Sequence, residues 1–365
     1  MESGKKPGKL LSSANSILYM DLKDIIREHA LPFLPAISLL RFRAVCRDWK
    51  LHISAPFFHH TQSLCCRAIS GLFCQTPENP SVFIPIHLKS SGVPDPSLSF
   101  LPEPVDLKAS SNGLLCCQGR SGNKPYYMCN PATKQWHKLP EPTACHGPDS
   151  ALVVAFEPSL LNFVPEYKLI CAFRSADFDD AAEFEIYTSR NNSWSVSGEI
   201  RFGVKRFTPR SGIHVNGVVY WNMAGGGILS FDLAKDRSQL LEKHYYSSDC
   251  ALGTFDGKLC KTSLLGLSVC ISALVNVHTN TMELNSRTKM WEPVQNVSLQ
   301  SDVLDGDHNR CKVEILSSDA LVIKCGRKLY SYDLKSKETK ALNQPGAETY
   351  DATICVPYVN SLVSL

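Results

Sequence analysis

The chain has no long hydrophobic run, and that absence removes a first class of functions. No segment of its 365 residues reaches the roughly 18–20 apolar positions that a membrane-crossing helix needs. Residues Met1 to Lys9 are polar, without the apolar stretch that follows the charged start of a secretory leader. An excess of one charge is missing too. The 38 Lys and Arg against 35 Asp and Glu leave a net charge of +3, too little to imply nucleic acid as a partner. Fifteen cysteines are present but no Cys-x-x-Cys, so zinc ribbons and thioredoxin-like chemistry fit poorly. Cys65-Cys66 and Cys116-Cys117 are adjacent pairs, and others such as Cys171 and Cys325 sit in apolar runs. Without a leader they are expected to be reduced thiols used as small core residues.

Signatures of catalysis are thin as well. There is no His-x-x-x-His and no Gly-x-Ser-x-Gly, and His59-His60 is the only close histidine pair. Gly225-Gly226-Gly227 lies between the apolar runs Val218–Trp221 and Ile228–Phe231, with no helix or Lys after it. That setting predicts a hairpin turn, not a phosphate cradle. The acidic run Asp177, Asp179, Asp180, Glu183 and Glu185 precedes a strand and reads as a solvated loop.

What is there divides into two unequal parts. The length is too great for one ordinary domain, and 44% hydrophobic with 20% charged residues is the composition of a soluble globular chain. Residues 1–50 hold nine Lys or Arg against five Asp or Glu, which makes this end basic. Within it Leu39, Phe42, Cys46, Trp49 and Ile53 step by 3 and 4, one helical stripe with charges mostly on the other faces. Ser38 is the expected N-cap, with Pro35 ending what precedes. Upstream, Leu22, Ile25 and Ile26 make a second helical face that Pro32 ends. So short a segment cannot bury enough by itself, and its stripe needs a partner surface.

From about residue 108 the texture changes to short strands with turn punctuation. Asn112-Gly113, Asn216-Gly217 and Asp256-Gly257 each precede an apolar run, and Asp319 is a fainter relative. Such pairs accept the positive φ of twist-matched hairpins. A second signature, an apolar strand ending in a polar turn and often Trp, recurs around Asn130, Thr188, Asp232, Asn285 and Asp333. Spacings of about 45–55 residues are those of propeller blades, which bury their faces by stacking around an axis. Trp136, Trp194 and Trp291 recur at one repeat position and are expected in the blade core. Five units are visible, and whether residues 61–107 or the C-terminal strand complete a sixth stays open.

The order Leu34-Pro35, then Ser38 to Cys46, then Trp49 and Ile53, resembles the second half of an F-box. The resemblance is to the large plant family that carries an F-box followed by a kelch-like or F-box-associated domain. The C-terminal run Ile354 to Leu365 is similar to the way many members end. Tyr19-Met20-Asp21-Leu22 stands where the family opens with Leu-Pro, and the kelch double-glycine mark is degenerate. The resemblance implies an α+β multidomain fold, with a small all-α F-box over 18–60 and an all-β propeller-like domain over 108–365. The polar residues before the F-box read as a disordered tail over 1–17, and Pro77, Pro80, Pro85, Pro94, Pro96, Pro102 and Pro104 make 61–107 read as an irregular, extended linker. The resemblance also implies docking on a Skp-type adaptor, and through it a cullin, by Leu34, Pro35, Leu39, Phe42, Val45, Cys46 and Trp49. The β domain would hold a target protein for ubiquitination, in the cytoplasm or nucleus. No catalytic residue, cofactor, metal, nucleic acid or membrane is implied. A ligase-independent propeller with a degenerate F-box, and a propeller enzyme or sugar binder, remain the alternatives.

Overall fold

The computed structural model describes residues 22–76, 79–86, 93–158, 165–204, 207, 212–223, 227–241, 250–275, 290–299, 311–342 and 354–365. The proposed tail over 1–17, the irregular opening at Tyr19-Met20 and the repeat point Asn285 lie outside them. The chain begins with α1 (Leu22–His29), a 3-10 turn (Leu31–Phe33), α2 (Ala36–Phe42), α3 (Arg47–Ile53) and α4 (Pro56–Cys65). The expected single stripe is therefore two short helices. Residues 43–45 turn, and Cys46 is extended at the N-cap of α3, where its Sγ accepts the Trp49 backbone N–H at 3.4 Å. A spacing of 3 and 4 survives a turn that keeps phase, so periodicity could not reveal the break. The cap of α2 is Pro35, not Ser38, because the extended backbone before the first helical residue is already set by the proline ring.

Beyond the helices, twenty-three strands among the described residues form six antiparallel units. Three of them are closed four-stranded blades: β3 (Val105–Ser111) to β6 (Gln135–Lys138), β7 (Ala151–Pro158) to β10 (Ser193–Phe202), and β11 (Ile213–Val215) to β14 (Arg237–Leu241). Their middle strands are β4 (Leu114–Gly119), β5 (Tyr126–Asn130), β8 (Pro165–Arg174), β9 (Ala181–Thr188), β12 (Val218–Asn222) and β13 (Ile228–Asp232). The fourth blade runs β15 (Leu252–Phe255), β16 (Lys258–Leu265), β17 (Ser268–Leu274), β18 (Trp291–Ser298). The fifth runs β19 (Cys311–Leu316), β20 (Ala320–Cys325), β21 (Lys328–Asp333), β22 (Thr339–Leu342). These two meet at one parallel bridge, Gly253 to Leu316, where a Cβ on residue 253 would overlap the Leu316 carbonyl.

Residues 61–107 are not a linker. They finish α4 and supply β1 (Gly71–Gln75) and β2 (Val82–Pro85), and β1 pairs on its other side with β23 (Ile354–Tyr358). The sixth blade is thus made from both ends of the propeller, Gly71 opposite Tyr358 and Gln75 opposite Ile354. Its three strands were hidden by prolines and by more than 270 residues of intervening chain. Apolar clusters fill every gap between neighbours. Phe73, Leu107 and Val356 join the sixth blade to the first; Met128 and Leu169 join the first to the second; Phe184 and Trp221 join the second to the third. Tyr220 and Leu259 then join the third to the fourth, Ile271 and Leu321 the fourth to the fifth, and Leu72 and Val322 the fifth to the sixth. The ring is closed with six blades.

Turn chemistry explains the blade hairpins. Asn112-Gly113, Asn216-Gly217 and Asp256-Gly257 all have positive φ and join the first two strands of blades one, three and four. Asn130, Asp232 and Asp333 accept backbone N–H groups two or three residues ahead, opening the last hairpin of blades one, three and five. Because strands alternate in direction, all these turns lie on one face of the ring. The connections 120–125, 139–150, 175–180 and 265–267 lie on the other. Trp194 is buried as expected, but Trp136 stands 41% exposed and Trp291 is half-buried under Lys261, whose Nζ lies 4.5 Å from the ring centre. The expectation of uniformly reduced cysteines is also corrected: Cys311 and Cys325, opposite one another on β19 and β20, are disulfide-bonded, and the other thirteen are free.

Candidate interaction surface

The helical unit is held by a small core: Leu31, Ala36, Leu39, Ile53 and Phe58 are buried in it, together with Ala132 and Leu362 from the β domain. Five buried side chains of its own are too few for independent stability, so the unit borrows the last turn of blade one and the C-terminal tail. Hydrogen bonds fix the tail. Asn130 Nδ2 donates to the carbonyls of Ser361 and Val363 at 3.0 and 2.7 Å, and Ser361 Oγ donates to Asn112 O. On the helical side Gln62 Nε2 donates to Leu34 O while its Oε1 accepts the Leu362 N–H, and Ala36 N–H donates to Asn360 O. The helices therefore sit on the ring face that carries the Asn-Gly turns. Gly113 is required here, since a Cβ would collide with Ser361.

The seven residues expected to dock an adaptor do not share one environment. Val45 is 63% exposed and Cys46 is exposed, whereas Leu34, Pro35, Phe42 and Trp49 are half-buried. Phe42 and Trp49 stack edge-to-face at 5.4 Å and pack against the small core. Leu39 is fully buried, and this is a correction: its side chain holds the helices together and has no free surface. Leu22 and Ile25, expected only as a second helical face, and Phe33, Leu51 and Phe57 were outside the expected docking set, and all five are exposed. Six of the fifteen large exposed apolar side chains among the described residues lie on this small unit. Three of the six, Phe33, Val45 and Phe57, sit beside a proline or in a turn, where no periodicity marks a face.

Charges frame this surface. Asp48 forms ion pairs with Lys23 at 3.6 Å and with Arg27 at 3.8 Å, tying α1 to α3, and Arg27 also reaches His52 at 3.4 Å. Burial and the Arg27 charge lower the His52 pKa, and burial lowers that of His59.

Two other places gather polar side chains in enclosed settings. The inner strands enclose a central channel of about 730 Å³, lined in part by Arg67, Lys108, His214, Asn216 and the pair Lys312–Glu314 at 2.7 Å. Between blades one and two, His146 bridges Tyr126 OH (3.1 Å) and Glu185 Oε2 (2.6 Å), and Glu185 also accepts from Thr143 N and Oγ1 and Ala144 N. Glu185 was expected in a solvated run but is fully buried, because alternation along β9 turns it inward. Burial opposes its ionisation, yet the hydrogen bonds from His146 and Thr143 win and hold the carboxyl below its ordinary range. Each polar atom of this cluster faces another inside an interblade core, so it clamps the 139–150 connection. Among the described residues no group of three His, Cys, Asp or Glu is placed to hold a metal.

Comparison with known proteins matches residues 96–343 to the family described as "F-box protein At3g26010-like, beta-propeller". Among curated proteins, the F-box protein At5g49610 of Arabidopsis thaliana is 29% identical over 56% of this chain and 59% of its own length. The F-box protein At5g07610 of the same plant is 30% identical over 63% of this chain and 58% of its own. The F-box/LRR-repeat/kelch-repeat protein At1g09650 is 24% identical over 73% of this chain and 74% of its own. The chain spans about three-fifths of the length of the first two relatives. With the match covering more than half of the residues, and a six-bladed ring behind a helical hook, this chain belongs to the F-box proteins with an At3g26010-like β-propeller.

Proposed function

We propose that this chain is the substrate-recognition subunit of a Skp–cullin–F-box ubiquitin ligase, itself non-catalytic. One observation carries the reading: a helical unit clamped by its inner side to the propeller presents Phe33, Val45, Leu51 and Phe57 outward. Isolated surface leucines are ordinary, but this density on so small a unit marks a surface that a partner covers. The adaptor would bury these side chains, and the cullin would follow through the adaptor. The β domain would hold the target in the cytoplasm or nucleus. The chain then contributes proximity, raising the effective concentration of target at the charged enzyme. The shared core of helices and tail makes the linkage stiff, so that the target stands at a fixed distance from the adaptor.

The test is direct binding of the purified chain to a Skp-type adaptor, beside the variant Phe33→Glu/Val45→Glu. Burying one large apolar side chain is worth about 1.5–3 kcal/mol, so the variant is expected to lose two to four decades of affinity. Its thermal melt should be unchanged, as both side chains are exposed. Equal binding by the variant would sink the docking surface. No binding by the unaltered, folded chain would favour a propeller that works without a ligase.

A further inference from the structure

The face of the ring opposite the helices carries an aromatic pair that the fold does not need. Phe178 lies in the connection between β8 and β9, and Phe202 ends β10; their rings meet edge-to-face at 5.1 Å. Phe178 is 43% and Phe202 54% exposed, and neither belongs to an interblade core. Ile200 stands on the same side of β10, since Phe202 pairs with Ala181 and Ile200 with Glu183, two residues apart in register, and it is exposed too. Around this ledge the connection presents Asp177, Asp179 and Asp180. All three are exposed, and none has an ion-pair partner among the described residues.

The connection is held in place. Ser175 N–H donates to Ala181 O, Ser175 Oγ donates to Glu183, and Asp177 N–H donates to Ser175 Oγ. Arg174, the cation within this segment, donates to the Asp179 carbonyl oxygen at 3.0 Å and not to its carboxylate, which has no ion-pair partner among the described residues. Val204 N–H donates to Asp180 O, which ties the end of β10 to the same loop. An exposed, pre-ordered apolar ledge bordered by carboxylates that have no ion-pair partner among the described residues selects a partner of defined chemistry. The aromatic pair gives a bulky apolar side chain a seat, and the carboxylates favour Lys or Arg on either side of it. The same negative charge disfavours the phosphates of nucleic acid.

We propose that this ledge on blade two is the target-docking site, and that its occupant is a basic protein segment with a central Leu or aromatic anchor. The assignment deepens the receptor reading and rests on it for the word target. The position suits the role, because the ledge is on the ring face away from the adaptor-facing helices and both can be occupied together.

The test uses the purified full chain and two labelled peptides, one with Leu-Phe flanked on each side by two Lys or Arg, the other with Glu at those four places. Fluorescence anisotropy is read for the unaltered chain, for Phe202→Ser, and for Asp177→Asn/Asp179→Asn/Asp180→Asn, each first shown to melt normally. The basic peptide is expected to bind, more tightly at low salt, and to lose about tenfold or more with either variant. The acidic peptide is expected not to bind. Equal binding by the variants, or no binding of the basic peptide to the unaltered chain, would overturn the site. No adaptor is in the assay, so failure of adaptor docking leaves this result readable by itself.

Discussion

The helical hook and the ring solve the burial problem in opposite ways. Each gap between blades has its own apolar cluster, and every blade is covered on both faces by its neighbours. The hook has one cluster, two of whose seven buried members come from the ring, and it leaves six large apolar side chains in solvent. The ring covers the faces of its blades with its own neighbours, whereas the hook takes part of its core from the ring and leaves its outer side in solvent, the side proposed above to meet an adaptor. In the proposed reading the difference in burial is also a division of labour.

That contrast can be broken most severely at the tail. Ending the chain after Val359 removes buried Leu362 and Val363, at about 1.5–3 kcal/mol each, and the hydrogen bonds through Asn130. The hook is expected to detach while most of the ring persists, seen as rapid amide exchange confined to residues 22–65. Glu185→Ala attacks only the ring. It leaves Thr143, Ala144 and His146 without their acceptor inside a core, a loss of about 3–5 kcal/mol in denaturant unfolding.

Leu39→Ala attacks only the hook, costing it about 2–5 kcal/mol through lost packing; adaptor binding should fall with the hook's own stability and return when the hook is stabilised by tethering. The pH dependence is smaller and has a definite sign. Glu185 titrates below its unfolded value of about 4.3, so its contribution is present above that pH and disappears as pH falls through the lower folded value. Glu185→Gln should flatten the acid limb of a stability–pH curve below pH 4. Least of all, Trp136→Ala on the exposed edge of blade one should change stability by under about 1 kcal/mol, unlike Trp194→Ala in the core.

Much of the ring was legible because its hairpins are local. Asn112-Gly113 and Asp256-Gly257 specify a backbone that few other pairs accept, and Asn130 and Asp333 cap their turns within three residues. The sixth blade was not legible. Its strands β1 and β23 lie at opposite ends of the propeller, and no local pattern says that Gly71 will meet Tyr358. The hook was legible as an amphipathic, basic segment resembling an F-box, but Leu39 and Val45 could not be told apart. Both are aliphatic residues in one short stretch, and only the break at residues 43–46 turns one inward and the other out. Glu185 shows the same limit within an acidic run.

By itself the sequence determined that a basic helical segment precedes a repeated antiparallel β domain, and where many of its hairpins turn. These follow from periodicity and from backbone preferences that act over a few residues. Tertiary structure alone decided the number of blades, the closure by both chain ends, the tail that shares its core with the hook, and which apolar side chains remain outside. Those outcomes depend on contacts between residues far apart in the chain, whose cost in chain entropy is met only when the whole ring is formed.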